Sequence, residues 1–421
     1  MKKTDERYGL YSQILLYELL PAGGCTEPIA IAYTAAVARR ELGCRPEHMD
    51  VYASGNLIKN AKAVYIPNGG NLRGVDAAAV LGALGGNAER ALEVLLDMPE
   101  GMVEETRRLL SENYCTVHVL EGGEALQLVV RVQSGENTVE VELRHTHTNI
   151  VRIEKNGVCL KQTEDGALSS GAEPVDYGCL TVEGILDYAN SFDISDEVGD
   201  RLRKQVEYNM RVAQEGLENH WGVNVGQMYY ARGQHLQAYA AAGSDARMSG
   251  CNLPVMIVSG SGNQGITASL PVAVYAREHG IDEERMLRAV ALSDLIAVHI
   301  KSGIGRLSAY CGAVCAATGS GCAITYLSGG GLKEIEDTLT NSLAVSSGMV
   351  CDGAKPSCAG KIAASLESAI MGHDLAMEGR AFQPGEGIVM DDVEETIDAV
   401  GCMASQGMQS TDRVILELMT K

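Results

Sequence analysis

The sequence predicts an α+β protein in which a small α+β domain with a mostly antiparallel sheet is inserted into a larger all-helical domain. Three observations lead there. Between residues 114 and 160, CTVHVLE, ALQLVVRVQ, TVEVELRHTH and NIVRIEKNG alternate apolar and polar residues, with GG, SGEN and KNG as turns. That is the period-two pattern of half-buried strands. From about residue 180 onward nearly every signal is helical, broken by the Gly-rich hinges SGSGNQG, SGIG, TGSG, SGGG and DGAKPS. The length, 421 residues, exceeds one ordinary core and favours two or three domains.

Taken in order, residues 5–20 read as a helix that ends at Pro21-Ala22-Gly23-Gly24. A second helix, Glu27 to Leu42, starts just after Cys25, with Pro28 in the first turn, where a missing N–H costs nothing. These helices, residues 1–44, are expected to pack with the C-terminal part. A strand-like run, Met49 to Ala53, leads into SGNLIKNAKAVYIPN, and residues 74–111 are Ala/Leu-rich and helical. With the four alternating segments they make an α+β domain over 45–178, followed by an all-helical domain over 179–421. The chain has 48 Gly but only 2 Phe and 1 Trp. Its core must therefore be built from small and aliphatic residues, with helix backbones in close approach.

The net charge of −21 repels phosphate backbones and anionic membrane surfaces, so neither nucleic acid nor a membrane is an expected partner. The N-terminus MKKTDERYGL has no apolar signal core and no run of about 18 apolar residues occurs, which predicts a cytoplasmic protein. Twelve cysteines in that setting are reduced thiols or metal ligands rather than disulfides. Cys44, Cys115, Cys159, Cys179 and Cys402 sit singly in ordinary segments and read as small buried hydrophobes. The others are Cys25, Cys251 and the group Cys311, Cys315, Cys322, Cys351 and Cys358.

That group lies among Gly and Ala, in YCGAVCAATGSGC and CDGAKPSCA. Small neighbours leave room for a bulky cluster, and the Gly/Pro loop between Cys351 and Cys358 lets two thiolates converge. The spacing matches neither a ferredoxin run nor a paired C-x2-C zinc site. It also suits Gly/Ala helices that use Cys as a large Ala. Three ligands rather than four would leave an iron free to act as a Lewis acid. Cys315 and Cys322, four and eleven residues after Cys311, could share its helix face and supply a fourth. Cys25 opens a helix, where free N–H groups and the dipole lower a thiol pKa, which suits a base, an acid, a nucleophile or a ligand; a buried inert thiol is the alternative.

Ser259-Gly260-Ser261-Gly262-Asn263-Gln264-Gly265 precedes a helix and could present N–H groups to a phosphate or a carboxylate, or act as a hinge. The same Ser-Gly-Asn pattern resembles the phosphate cup of pyridoxal-phosphate β-eliminases. Those need a Schiff-base lysine some tens of residues earlier, and no lysine occurs between Lys204 and Lys301. Asn56, Lys59, Asn60 and Asn68 could grip an amino-acid carboxylate or cap turns. His145 and His147 alternate on a strand and so share a face, without a carboxylate nearby to complete a metal pair. Arg247 and Arg306 are lone cations near Gly-rich turns and could hold a carboxylate.

PAGGCTEP, SGNLIKNAK, HTHTNIV, SGSGNQGI, the Cys311 segment and CDGAKPSCA together resemble, in order and over nearly the whole chain, the L-cysteine desulfidase family, relatives of the iron–sulfur L-serine dehydratases. The resemblance implies an oxygen-sensitive [4Fe–4S] enzyme, free of pyridoxal phosphate, that converts L-cysteine to pyruvate, ammonia and sulfide, with a homodimer as its assembly. It implies Cys311, Cys351 and Cys358 as cluster ligands, the last less closely because the loop is shorter than in the dehydratases. The separate regulatory-type domain of the dehydratases is not evident here. In the expected scheme Cys25 is the thiolate base. The carboxylate rests on Ser259, Ser261, Gly262 and Asn263, oriented by Asn56, Lys59 and Asn60. L-serine on the same cluster is the alternative substrate, and a thiol or cluster redox sensor is the non-enzymatic one.

Overall fold

The structure, a computed structural model, describes residues 1, 3–120, 124–163 and 175–420. The expected turn at Gly122-Gly123 lies outside them. The first helix, α1 (Glu6–Glu18), leads through β1 (Leu20–Ala22) into α2 (Thr26–Leu42). β2 (His48–Ser54) is followed by α3 (Gly55–Ala61), α4 (Val75–Gly85) and α5 (Met102–Ser111). Then come β3 (Cys115–Leu120), β4 (Gln127–Ser134), β5 (Asn137–Arg144), β6 (Ile150–Lys155) and β7 (Val158–Gln162).

Their sheet has the order β3-β2-β4-β5-β6-β7, antiparallel except that β2 and β3 run parallel. The four alternating segments are thus strands as expected, but the Met49 run enters between the first two. A parallel neighbour requires a crossover, and α3 to α5 supply it. Met49, Val51, Leu128, Val130, Val139 and Val141 are buried on the side where α2 packs across β4 and β5. The other side is polar, with Arg131 and Arg152 both paired to Glu140. Helix α1 meets helices of the C-terminal part, while the body of α2 covers the sheet.

The C-terminal part is helical. It contains α6 (Val182–Ala189), α7 (Glu197–Glu218), α8 (Val225–Ala231) and α9 (His235–Met248). A short strand β8 (Val255–Ile257), paired with β1, leads into α10 (Gly262–Glu278) and α11 (Glu283–Ser302). Next are α12 (Gly312–Leu327), α13 (Leu332–Ser346), α14 (Cys358–Met377), α15 (Val393–Cys402) and α16 (Gln409–Thr420). Helix α12 is the axis of this part, buried all round and packed by α10, α11, α13 and α14. No helix of the described residues is long and apolar enough to cross a membrane.

Glycine lets these helices touch at the backbone. A Cβ on Gly82 of α4 would fall 2.2 Å from the Ala32 carbonyl oxygen of α2. On Gly216 of α7 it would fall 2.1 Å from that of Ala242 in α9, and on Gly319 of α12, 2.3 Å from that of Ser293 in α11. This is the close packing that the scarcity of aromatics demanded. The cysteines expected to be small buried hydrophobes are not: Cys44, Cys159 and Cys402 are exposed, and Cys115 and Cys179 half-buried. Cys44, Cys159 and Cys402 lie in a loop, on the edge strand β7 and near a helix end, while Cys115 and Cys179 pack only partly against the core.

Two predictions follow from this core. Gly319→Val should force α11 and α12 apart and lower stability by about 1–3 kcal/mol; an unshifted urea midpoint would refute the contact. Asp294 of α11 is fully buried, and burial pushes its carboxyl up to about 8, although the Gln205 amide donates to it at 2.9 Å. An unfolded Asp titrates near 4, so between about pH 4 and pH 8 the folded chain holds a proton that the unfolded chain has lost. The contribution is present in full below that window and is lost as pH rises through it. Asp294→Asn should therefore raise Tm by an amount that grows from pH 5 to pH 8; a pH-independent difference would count against the assignment.

Candidate active site

Two chain segments are clipped together where α12 begins. The Cys311 N–H donates to the Met349 carbonyl at 3.0 Å, and the Cys351 N–H to the Ala309 carbonyl at 2.6 Å. Cys311 is the N-cap of α12, Cys351 lies in the connection before α14, and Cys358 is the first residue of α14. All three line one cavity of about 100 Å³. The Cys311 thiol hydrogen-bonds to Cys351, which with burial holds the Cys311 thiol up. The same bond, helped by the Lys59 and Lys301 ammonium groups, holds Cys351 low. Cys358 is raised by burial.

The three thiols fit a sulfur-ligated cluster in two respects. Gly312, Ala313, Gly353 and Ala354 lie beside them in the wall and take up little of the space, with Leu307, Tyr310 and Ile362 as its larger apolar members. Among the described residues, no three His, Cys, Asp or Glu side chains converge tightly enough for a single metal ion. A cluster bound at its corners does not need them to. Cys315 and Cys322 are fully buried behind this wall and do not line the cavity. Burial pushes the Cys315 thiol up to about 11, and the Cys322 thiol donates to the Ile335 carbonyl at 3.6 Å.

Four helices point their N-termini at the cavity. Thr26 and Glu27 come from α2; Ser261, Asn263 and Gln264 from the start of α10; Gly312 and Ala313 from α12; Cys358 and Ile362 from α14. Helix starts carry unpaired N–H groups and the positive end of the dipole. Arg247, Lys301 and Arg306 add positive charge to the lining. Burial lowers the Lys301 ammonium.

Glu27 is the one carboxylate among the described lining residues. It accepts from the Asn60 amide at 3.1 Å and from the Thr26 hydroxyl at 3.0 Å. Burial works to raise its carboxyl, but His147 beside it, with Arg247 near, outweighs burial and leaves it at about 2. His147 Nε2 lies 3.8 Å from Glu27 Oε1. Buried polar atoms without a hydrogen bond gather here: Arg247 Nε, Gln264 Oε1, Asn60 Oδ1 and His147 Nε2. Orphans of this kind cost stability unless a ligand or water satisfies them.

Of the residues expected to hold substrate, Asn60, Ser261 and Asn263 share the cavity with the three cysteines, whereas Asn56, Lys59, Ser259 and Gly262 do not line it. Lys59 turns into an ion pair with Asp412 of α16 at 2.5 Å. Gly262 lies under Arg247, where a Cβ would come 2.4 Å from Nε. Ser259, at φ +49, sits in the turn that brings Gly260 against His147 and Arg306. Asn56 is half-buried, its Oδ1 without a partner.

Cys25 is the N-cap of α2 as expected, but its thiol is fully buried against Val64, Met248, Ala354 and Cys358. Burial pushes it up to about 12 even with Arg247 working to lower it. The lowering expected of a helix start is thus reversed, because desolvation by the packed wall exceeds the help from the helix end. His145 and His147 do not alternate on a strand. They lie in the turn after β5, His145 at φ +69, and only His147 reaches Glu27. Sequence reasoning overlooked Glu27, Thr26 and Lys301 as site residues, and named Arg247 and Arg306 as possible carboxylate holders without including them in the expected site. The available signal was an acid in the first turn of an otherwise apolar helix.

The serine dehydratase alpha chain family matches residues 89–417. A UPF0597 protein of Lachnoclostridium phytofermentans is 50% identical over 411 residues, covering 96% of this chain and 98% of its own length. One from Treponema denticola is 44% identical across the whole of both chains, and one from Fusobacterium nucleatum is 45% identical across 97% of this chain and 98% of its own. A buried cavity with three cysteines, a cationic lining and a single acid is what an iron–sulfur lyase of polar substrates needs, and the chain belongs to the serine dehydratase alpha chain family, a family of iron–sulfur dehydratases.

Proposed function

We propose that the chain is a pyridoxal-phosphate-independent lyase that eliminates the β-substituent of L-cysteine at a [4Fe–4S] cluster held by Cys311, Cys351 and Cys358. One observation carries this reading: the three thiols open into the same cavity as groups of both charges suited to an amino acid, the cations Arg247, Lys301 and Arg306 and the acid Glu27. When bound, a cluster with three protein thiolates offers one iron as a Lewis acid that makes the β-sulfur a better leaving group.

The protein's part is positioning and charge. The unpartnered Nε–H of Arg247 and the start of α10, with Ser261 and Asn263, suit the α-carboxylate. Glu27, held ionised and braced by Asn60 and Thr26, suits the α-ammonium. A carboxylate held that low is a better electrostatic anchor than a base. The α-proton goes to Cys25, which abuts Cys358 but is sealed off from the cavity in this structure, so its thiol has first to turn into the cavity and ionise with Arg247 as counter-charge. Loss of the α-proton and of the β-sulfur as hydrogen sulfide leaves 2-aminoacrylate. This tautomerises and takes up water to give pyruvate and ammonia. The family match favours L-serine as a second reading, with hydroxide leaving in place of sulfide.

Protein purified without oxygen should absorb near 400 nm and release sulfide and pyruvate in equal amounts from L-cysteine, with both lost on exposure to air. Pyruvate from L-serine alone would keep the mechanism and change the substrate, and a colourless protein inactive on both would overturn the reading. Cys25→Ala should reduce turnover by about a hundredfold or more, the usual contribution of a positioned base, while leaving the iron content and the 400 nm absorbance near those of the parent. Full activity in that variant would remove Cys25 from the mechanism.

A further inference from the structure

Three cavities meet at one side chain. Arg306, in the loop between α11 and Cys311, lines the cysteine cavity, a larger neighbour of about 290 Å³ walled by Tyr17, His145 and Tyr177, and a narrow space beside His147 and Gly260. Arg306 and Leu307 together form the wall between the first two. The guanidinium lies over the Tyr17 ring, 5.7 Å from its centroid, and its Nη1 is 3.2 Å from the place of a Cβ on Gly260.

A carboxylate of the protein itself occupies the guanidinium. Arg306 Nη2 donates to Glu18 Oε1 at 2.9 Å, and Nη1 to Oε2 at 3.5 Å. Glu18 is 4% exposed and also accepts from the Tyr177 hydroxyl. The geometry is the two-pronged grip of Arg on a carboxylate, with one long arm. Two features suggest that it opens. Glu18 keeps the Tyr177 hydroxyl when Arg306 lets go, which offsets part of the cost of leaving a buried carboxylate. On the larger cavity's side, His145 holds a left-handed backbone at φ +69 and its buried Nε2 has no hydrogen bond, a polar atom in reserve on the way in.

We propose that Arg306 is a gate that admits α-carboxylates: an amino acid arriving from the larger cavity replaces Glu18 on the guanidinium, and its carboxylate is then shared by Arg306, Arg247 and the start of α10. The exchange is carboxylate for carboxylate, so no bond or redox state changes and no net charge is moved. It explains why an arginine at the mouth of the site is paired with a buried acid rather than left open. It also names the selected group, the α-carboxylate, apart from whatever leaves from the β-carbon. The inference rests on the amino-acid reading of the cysteine cavity.

The test uses two thiols that differ in that group, 3-mercaptopropionate and cysteamine, bound to oxygen-free protein and followed by calorimetry. Glu18→Gln frees Arg306 and should tighten 3-mercaptopropionate several-fold. Removing Arg306 alone would leave Glu18 buried without its cation, so the matched variant is Glu18→Gln with Arg306→Gln. That pair should weaken 3-mercaptopropionate about tenfold or more, as expected for the loss of a charged hydrogen-bonded pair, and leave cysteamine unchanged. In turnover the same variant should raise KM for L-cysteine with little change in kcat. Equal weakening of both thiols, unchanged binding of 3-mercaptopropionate, or a parent protein that binds neither overturns the gate. A parent that binds 3-mercaptopropionate through Arg306 yet turns over neither cysteine nor serine overturns the proposed reaction and leaves the gate standing.

Discussion

The convergence of four helix N-termini on one small cavity constrains most of the rest of the molecule. Each end brings N–H groups with no partner in its own helix and a partial positive charge. Bringing α2, α10, α12 and α14 to one point obliges the bodies of these helices and their neighbours to pack with little between them. Gly82 against Ala32 and Gly319 against Ser293 are consequences of that crowding. So is the composition, rich in Gly and nearly without Phe and Trp. A larger residue at the crossings would move a helix, and with it the thiol, hydroxyl or amide at its end.

Charge follows from the same arrangement. The chain carries −21 overall, yet the cavity gathers Arg247, Lys301 and Arg306 around four positive helix ends. Such a setting favours thiolates and carboxylates and makes an ammonium group hard to place without an acid beside it. Glu27 is held in place by Asn60, Thr26 and the nearby His147. An amino acid, neutral overall but charged at both ends, suits this contrast: the negative exterior does not repel it, and the cavity meets each end separately.

The cysteines show how environment overrides position. Cys25, Cys311 and Cys358 all stand at helix starts. Cys25 is sealed by side chains and its thiol rises, while Cys351, in a loop and at no helix start, is held low by the Cys311 thiol and two lysines. The effect of the helix end is modest beside desolvation and direct hydrogen bonding, so the rule that helix starts lower a thiol pKa fails where the wall is closed.

The sequence by itself determined the class of the fold, the alternating strands between 114 and 160, the helical remainder and the small-residue core, because these follow from local periodicity and composition. It also singled out Ser261 and Asn263 in a Gly-rich loop before a helix, Asn60 as an amide that could grip a carboxylate, and, through the family resemblance, Cys311, Cys351 and Cys358. Tertiary structure decided what no local pattern carries. It inserted β2 between β3 and β4, laid α2 across the sheet, and turned Lys59 toward Asp412 rather than the cavity. It brought Glu27, His147, Arg247 and Arg306 together from segments up to 279 positions apart. Side-chain direction and burial depend on which distant elements pack against a residue. A lone arginine near a glycine turn therefore looks alike in sequence whether it faces solvent or three joined cavities.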